Sequence, residues 1–129
     1  MLNLYQYHTQ PQTLAHYEEA RTSVPDIAYQ YARWVLKGRF PDGEPAIARD
    51  PKWAYLYASE VLNGRFPAGE AAITRDARFA YLYASDVIKG RFPAGEAAIA
   101  QDAQWAGKYA REVLKLPLDQ ARTWGQRDR

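Results

Sequence analysis

Gly64-Arg-Phe-Pro-Ala-Gly-Glu-Ala-Ala-Ile73 occurs almost unchanged as Gly38-Arg-Phe-Pro-Asp-Gly-Glu-Pro-Ala-Ile47 and as Gly90-Arg-Phe-Pro-Ala-Gly-Glu-Ala-Ala-Ile99, each copy 26 residues from the next. A fixed period of this length is the signature of a stacked repeat, one supersecondary unit copied along the chain. Upstream of the block a helical string recurs four times, as Ala28-Tyr-Gln-Tyr-Ala32, Ala54-Tyr-Leu-Tyr-Ala58, Ala80-Tyr-Leu-Tyr-Ala84 and Ala106-Gly-Lys-Tyr-Ala110.

Within one unit the start and stop signals are complete. Asp50 is a good helix cap, Pro51 suits the first helical position, and Trp53, Ala54, Tyr57, Ala58, Val61 and Leu62 follow at helical spacing. Asn63-Gly64 then offers a glycine where a helix end takes the left-handed conformation, and Pro67 stops the helix from continuing. Lys37-Gly38 and Lys89-Gly90 read in the same way. This pattern predicts long helices near 25–37, 51–63, 77–89 and 103–115, alternating with short ones such as Glu70 to Arg75. Neither helix can bury its apolar side alone. The predicted fold is therefore all-α, a short α-solenoid of about four two-helix repeats with degenerate capping ends.

One domain is expected over 1–129: an N-terminal cap over 1–24, repeats over 25–115, and a C-terminal cap and tail over 116–129. Tyr17, Glu18 and Ala20 stand in register with Gly43, Glu44 and Ala46, so residues 12 to 24 read as a degenerate first short helix. At the other end Leu116-Pro117 replaces Gly-Arg. Asp119 is expected to cap a final turn through Trp124, and Arg127-Asp-Arg129 to form a solvated tail.

Seventeen basic and fifteen acidic side chains are interleaved to a net charge of +2, with no block of one sign to serve as a nucleic-acid or membrane tail. Strong acidity is absent too, which counts against a mimic of the DNA backbone. There is no cysteine, so neither a disulfide framework nor a thiolate metal site is available. With no signal-peptide pattern at Met1–His8 and no long apolar run, the expectation is a cytoplasmic protein without a membrane span.

The chain resembles the helical tandem-repeat proteins encoded by tailed phages and some other viruses, whose units carry strings close to YAxxVLxGRFPxGExxI. The resemblance covers residues 28 to 115, with Gly-Arg-Phe-Pro-x-Gly-Glu as its most specific part. It implies a helical stack, a viral origin and hence the host cytoplasm, and transfers no activity or site.

Three sets of side chains are candidates for function. Arg39, Arg65 and Arg91, 26 residues apart, form a ladder able to engage phosphates or carboxylates. Glu44, Glu70 and Glu96 form a matching ladder, and the favoured reading ties each arginine to a glutamate, most directly Arg65 to Glu70. Tyr29, Tyr55 and Tyr81 make one aromatic line and Tyr31, Tyr57, Tyr83 and Tyr109 another. Such stripes can stack bases, but their spacing is that of a core, with the hydroxyls finding backbone or carboxylate partners. The remaining face of the long helices changes from unit to unit, and Trp34, Leu56 and Leu82 are its apolar members, with Glu60 and Asp86 beside them.

Chemistry is thin. His8 and His16, the only histidines, lack a partner at metal-ligand spacing, and Ser59 and Ser85 sit beside acids, not beside a base. No catalytic residue, cofactor or metal is expected. The leading reading is a non-catalytic interaction module, a viral effector or inhibitor that binds a host protein through Trp34, Leu56, Leu82, Glu60 and Asp86. The alternative is a nucleotide or nucleic-acid binder using Arg39, Arg65 and Arg91. A homo-oligomer through the same face is a further option.

Overall fold

The structure, a computed structural model, describes the backbone of residues 11–128 and the side chains of residues 17–127. Among the described residues there are nine helices and no strand. Helix α1, Pro11–Ser23, is followed by four long helices: α2 over 25–36, α4 over 51–62, α6 over 77–88 and α8 over 103–113. Between them lie the short helices α3 over 41–47, α5 at Pro67–Ile73 and α7 over 93–101, and α9, Leu118–Thr123, closes the stack. Each long helix packs on the short helix that follows it and on the next long helix. The result is a short α-solenoid.

The start signals act as the sequence implies. The Asp50 carboxylate accepts from the Trp53 backbone N–H at 3.1 Å and the Asp76 carboxylate from that of Phe79 at 3.0 Å. Asp102 takes two such donors, from Gln104 and Trp105. Pro25 and Pro51 occupy the first turn of α2 and α4, where a missing N–H costs nothing.

The ends differ from expectation in an informative way. Every long helix changes from α to π geometry halfway, at Tyr31, Tyr57, Tyr83 and Tyr109. The wide last turn lets one alanine carbonyl collect two donors: Ala58 O accepts from the N–H groups of Asn63 and Gly64. Closing that turn puts the left-handed residue directly after α2, α4 and α6, and one residue further on after α8. It falls on Lys37, Asn63, Lys89 and Lys115, with φ of 54°, 53°, 58° and 61°, and not on Gly38, Gly64 and Gly90. A Cβ on Gly64 would meet only the Leu62 carbonyl at 3.9 Å.

Gly69 is where the fold needs the absence of a side chain. It sits in the first turn of α5, buried against α4, and a Cβ there would lie 2.6 Å from Phe66 Cδ2 and 2.8 Å from Ala54 Cβ. Gly43 and Gly95 meet the same close approach. The core repeats accordingly: Ala54 and Ala58 on α4, Ile73 on α5 and Phe66 in the loop are all but inaccessible, and so are their counterparts in the next unit.

The caps use different means. In α1 the buried Tyr17 packs edge-on against Tyr31, with ring centroids 5.8 Å apart. At the far end Pro117, not Asp119, occupies the cap position of α9, because its extended backbone already starts the helix and leaves Asp119 in the first turn. Trp124 packs on Tyr109 at 5.1 Å, and the tail continues as a single tight turn at Gln126–Asp128 with Arg127 exposed.

Two substitutions separate these glycines. Gly69→Ala should destabilise by about 2 kcal/mol, since overpacking forces the loop phenylalanine or the helix to move. Gly64→Ala should cost under about 0.5 kcal/mol, while Lys89→Gly should stabilise by about 1 kcal/mol by relieving a left-handed residue that carries a side chain. Urea titration of the three variants measures all of these.

Candidate functional site

The repeated charged block builds a joint between units. Arg65 donates through Nε to Glu70 Oε2 and through Nη2 to Oε1, both at 2.9 Å, so the guanidinium grips the carboxylate with two parallel bonds. The same carboxylate takes the hydroxyl of Tyr83, from the following unit, at 2.6 Å. That hydroxyl oxygen in turn accepts the backbone N–H of Phe66 at 2.8 Å. The set recurs as Arg39, Glu44, Tyr57 and Phe40, and as Arg91, Glu96, Tyr109 and Phe92. Each arginine is therefore paired within its own unit, and the tyrosine extends the pair to the next.

Burial pushes the Glu70 carboxyl upward, and the bonds from Arg65 and Tyr83 together with the arginine's charge outweigh it, holding the group below the usual carboxylate range. Glu96 is held low by the same balance. The Tyr83 hydroxyl is pushed well above its ordinary value by burial and by the Glu70 carboxylate it donates to. At the N-terminal cap Thr13 stands where the other units have arginine, and Arg21 supplies the missing charge, bridging Glu18 at 2.7 Å and lying over the Tyr31 ring.

A second joint runs along the faces of the long helices. The Tyr55 hydroxyl donates to Asp86 at 2.5 Å and that of Tyr81 to Glu112, each acid standing 31 residues after its tyrosine. In the first unit Arg33 intervenes, reaching Glu60 at 2.7 Å and touching the Tyr29 hydroxyl. Tyr29, Tyr55 and Tyr81 also pack their rings on Trp53, Phe79 and Trp105 of the next unit.

These bonds change the reading of the variable face. Glu60 and Asp86 are members of the second joint and not free rim residues. The signal was in the sequence, for the aligned position reads Trp34, Glu60, Asp86, Glu112, an acid in every unit but the first. Leu56 and Leu82 are half-buried and pack against the core. Trp34 alone of the three expected apolar anchors stands out, 59% exposed with the Arg33 guanidinium 4.7 Å from its ring. It borders two adjoining shallow hollows between α2 and α4, of about 360 and 310 Å³. The first reaches Lys37 and Asn63, and the second contains Trp53 and Leu56.

His8 and the side chain of His16 lie outside the described residues. Among the described residues no three of the types His, Cys, Asp and Glu gather as a metal site would require, and no helix is long and apolar enough to cross a membrane. No protein-family model, curated protein or solved structure matches the chain.

The joint can be dissected by its parts. Tyr83→Phe should cost about 1–3 kcal/mol, because it strands the buried Phe66 N–H, whereas exposed Arg65→Ala should lower the melting temperature by the equivalent of about 1 kcal/mol or less. Because Glu70 and Glu96 titrate below their unfolded values, their contribution is complete above the ordinary carboxylate range and lost as the pH falls through the depressed folded values. A Glu70→Gln chain should therefore show a flatter loss of stability on acidification, measured by urea midpoints across the acid range.

Proposed function

We propose that this chain is a non-catalytic interaction module that binds another protein through the outer face of its long helices, with Trp34 as the principal anchor. The supporting observation is the exposed Trp34 ring beside a hollow that shares Trp53 and Leu56, since a large aromatic at a concave, partly apolar site is what dominates typical interfaces. Leu56 contributes the floor of that site. Leu82 lies one repeat away and extends the same face, and Glu60 and Asp86 hold successive helices at the spacing a partner meets. The resemblance to phage repeat proteins extends the proposal to a viral effector that occupies a host protein. The competing use of Arg39, Arg65 and Arg91 for a nucleotide or nucleic acid requires the arginines to leave their glutamates, each of which already holds two parallel bonds.

Trp34→Ala should leave the circular dichroism spectrum and melting temperature unchanged while reducing retention of a protein partner in a pull-down from host lysate. Arg91→Ala should leave retention intact. Binding that survives Trp34→Ala, disappears with Arg91→Ala and falls steeply with salt would move the function to the arginine ladder.

A further inference from the structure

The outer face carries an electrostatic bias that the chain's near-neutral total conceals. Its acids are fewer than its cations and each is held by a neighbour within the stack: Asp26 accepts from Gln30, Glu60 from Arg33, Asp86 from Tyr55 and Glu112 from Tyr81. Its cations are not. Lys37, Lys89 and Lys115 stand in register at the ends of α2, α6 and α8, exposed and without a carboxylate partner among the described residues, and they line the grooves between successive long helices. Lys52 and Arg78 form a second row near the starts of α4 and α6, and Lys108 lies halfway along α8, each over the aromatic ring of Trp53, Phe79 or Trp105 instead of against an acid. Two cationic rows thus frame the band that contains Trp34 and Leu56.

We infer that the partner of this face is an acidic segment of another protein, with an apolar side chain that seats in the hollow beside Trp34 and carboxylates that meet the lysines flanking it. The inference rests on the reading of Trp34 as an anchor and adds the chemistry of what it anchors. A continuous phosphate backbone fits less well. Glu60, Asp86 and Glu112 recur between the two rows, and such fixed negative groups repel a polyanion that tracks along the stack while leaving room for discrete carboxylates. An apolar hollow beside the cations also rewards a side chain that a phosphate backbone lacks. In complexes of this kind charge selects the partner and speeds encounter, and the buried aromatic supplies most of the affinity.

The test uses the full chain as bait for a random peptide library displayed at one copy per particle, with single-stranded oligonucleotides measured in parallel. Recovered peptides should be enriched in Asp and Glu around a hydrophobic residue. Their affinity should fall about tenfold with Trp34→Ala and about tenfold with Lys37→Glu combined with Lys89→Glu, both variants remaining folded by circular dichroism. Peptides that are neutral or basic yet depend on Trp34 would overturn the acidic partner and leave the anchor reading standing. Peptides indifferent to Trp34, or no recovered peptide at all, would overturn both. Oligonucleotide binding that outcompetes the peptides and is lost in the double lysine variant would overturn the inference in favour of nucleic acid.

Discussion

Everything in this fold hangs on one carboxylate per repeat that is shared between two units. Glu70 is gripped by Arg65 from its own loop and receives the hydroxyl of Tyr83 from the next long helix, while that hydroxyl satisfies the Phe66 N–H. A loop that tucks a phenylalanine under a helix has to bury its backbone polar groups, and an unmade bond there costs more than a made one gains. The tyrosine solves that problem from outside the unit. A repeat without its successor leaves Phe66 unsatisfied, so the neighbour term in the stack's stability is directional and specific, not merely apolar.

The apolar half of the design serves the same joint. The tyrosine oxygen can reach the loop only if helix and loop approach closely, and the approach is made by residues with little or no side chain: Gly69 in the short helix, Ala54 and Ala58 on the long one. Phe66 then fills the space they leave and meets the Tyr57 ring edge-on, with ring centroids 5.0 Å apart. Bulk at Gly69 would push the short helix outward and carry Glu70 away from its arginine and its tyrosine together.

Much of this was legible before any coordinates. The starts at Pro25, Asp50-Pro51, Asp76 and Asp102 placed the long helices to within two residues, and the block Gly-Arg-Phe-Pro-x-Gly-Glu announced an arginine and a glutamate that belong together. What the sequence concealed follows from what periodicity encodes. A repeat tells which positions are equivalent, but not which copy touches which, so the bonds from Tyr55 to Asp86 and from Tyr83 to Glu70 were hidden although all four residues were in view. The glycine assignments failed for a different reason. A left-handed helix end is ordinarily taken by glycine, and nothing in Asn63-Gly64 reveals that the last turn is π and that the preceding residue takes the strain.

The interior of a stack is obliged to repeat, so its functional information lies in the departures from the pattern. Thr13 in place of arginine is answered by Arg21, and Gly107 in place of the donor tyrosine leaves α8 with no outgoing bond of that kind to make. Trp34 in place of the acid is not explained in this way. The position 31 residues before Trp34 is Asn3 and not a tyrosine, so no acid is called for there, yet a small or polar residue would serve that register as well as an exposed tryptophan. It is the most exposed of the large apolar side chains among the described residues, at 59% against 51% for Leu118 and 39% for Val24, and it lies with Lys37 at the hollow between α2 and α4. For Trp34 the joints of the stack supply only the Arg33 guanidinium over its ring, which is why the proposed docking surface is centred on it.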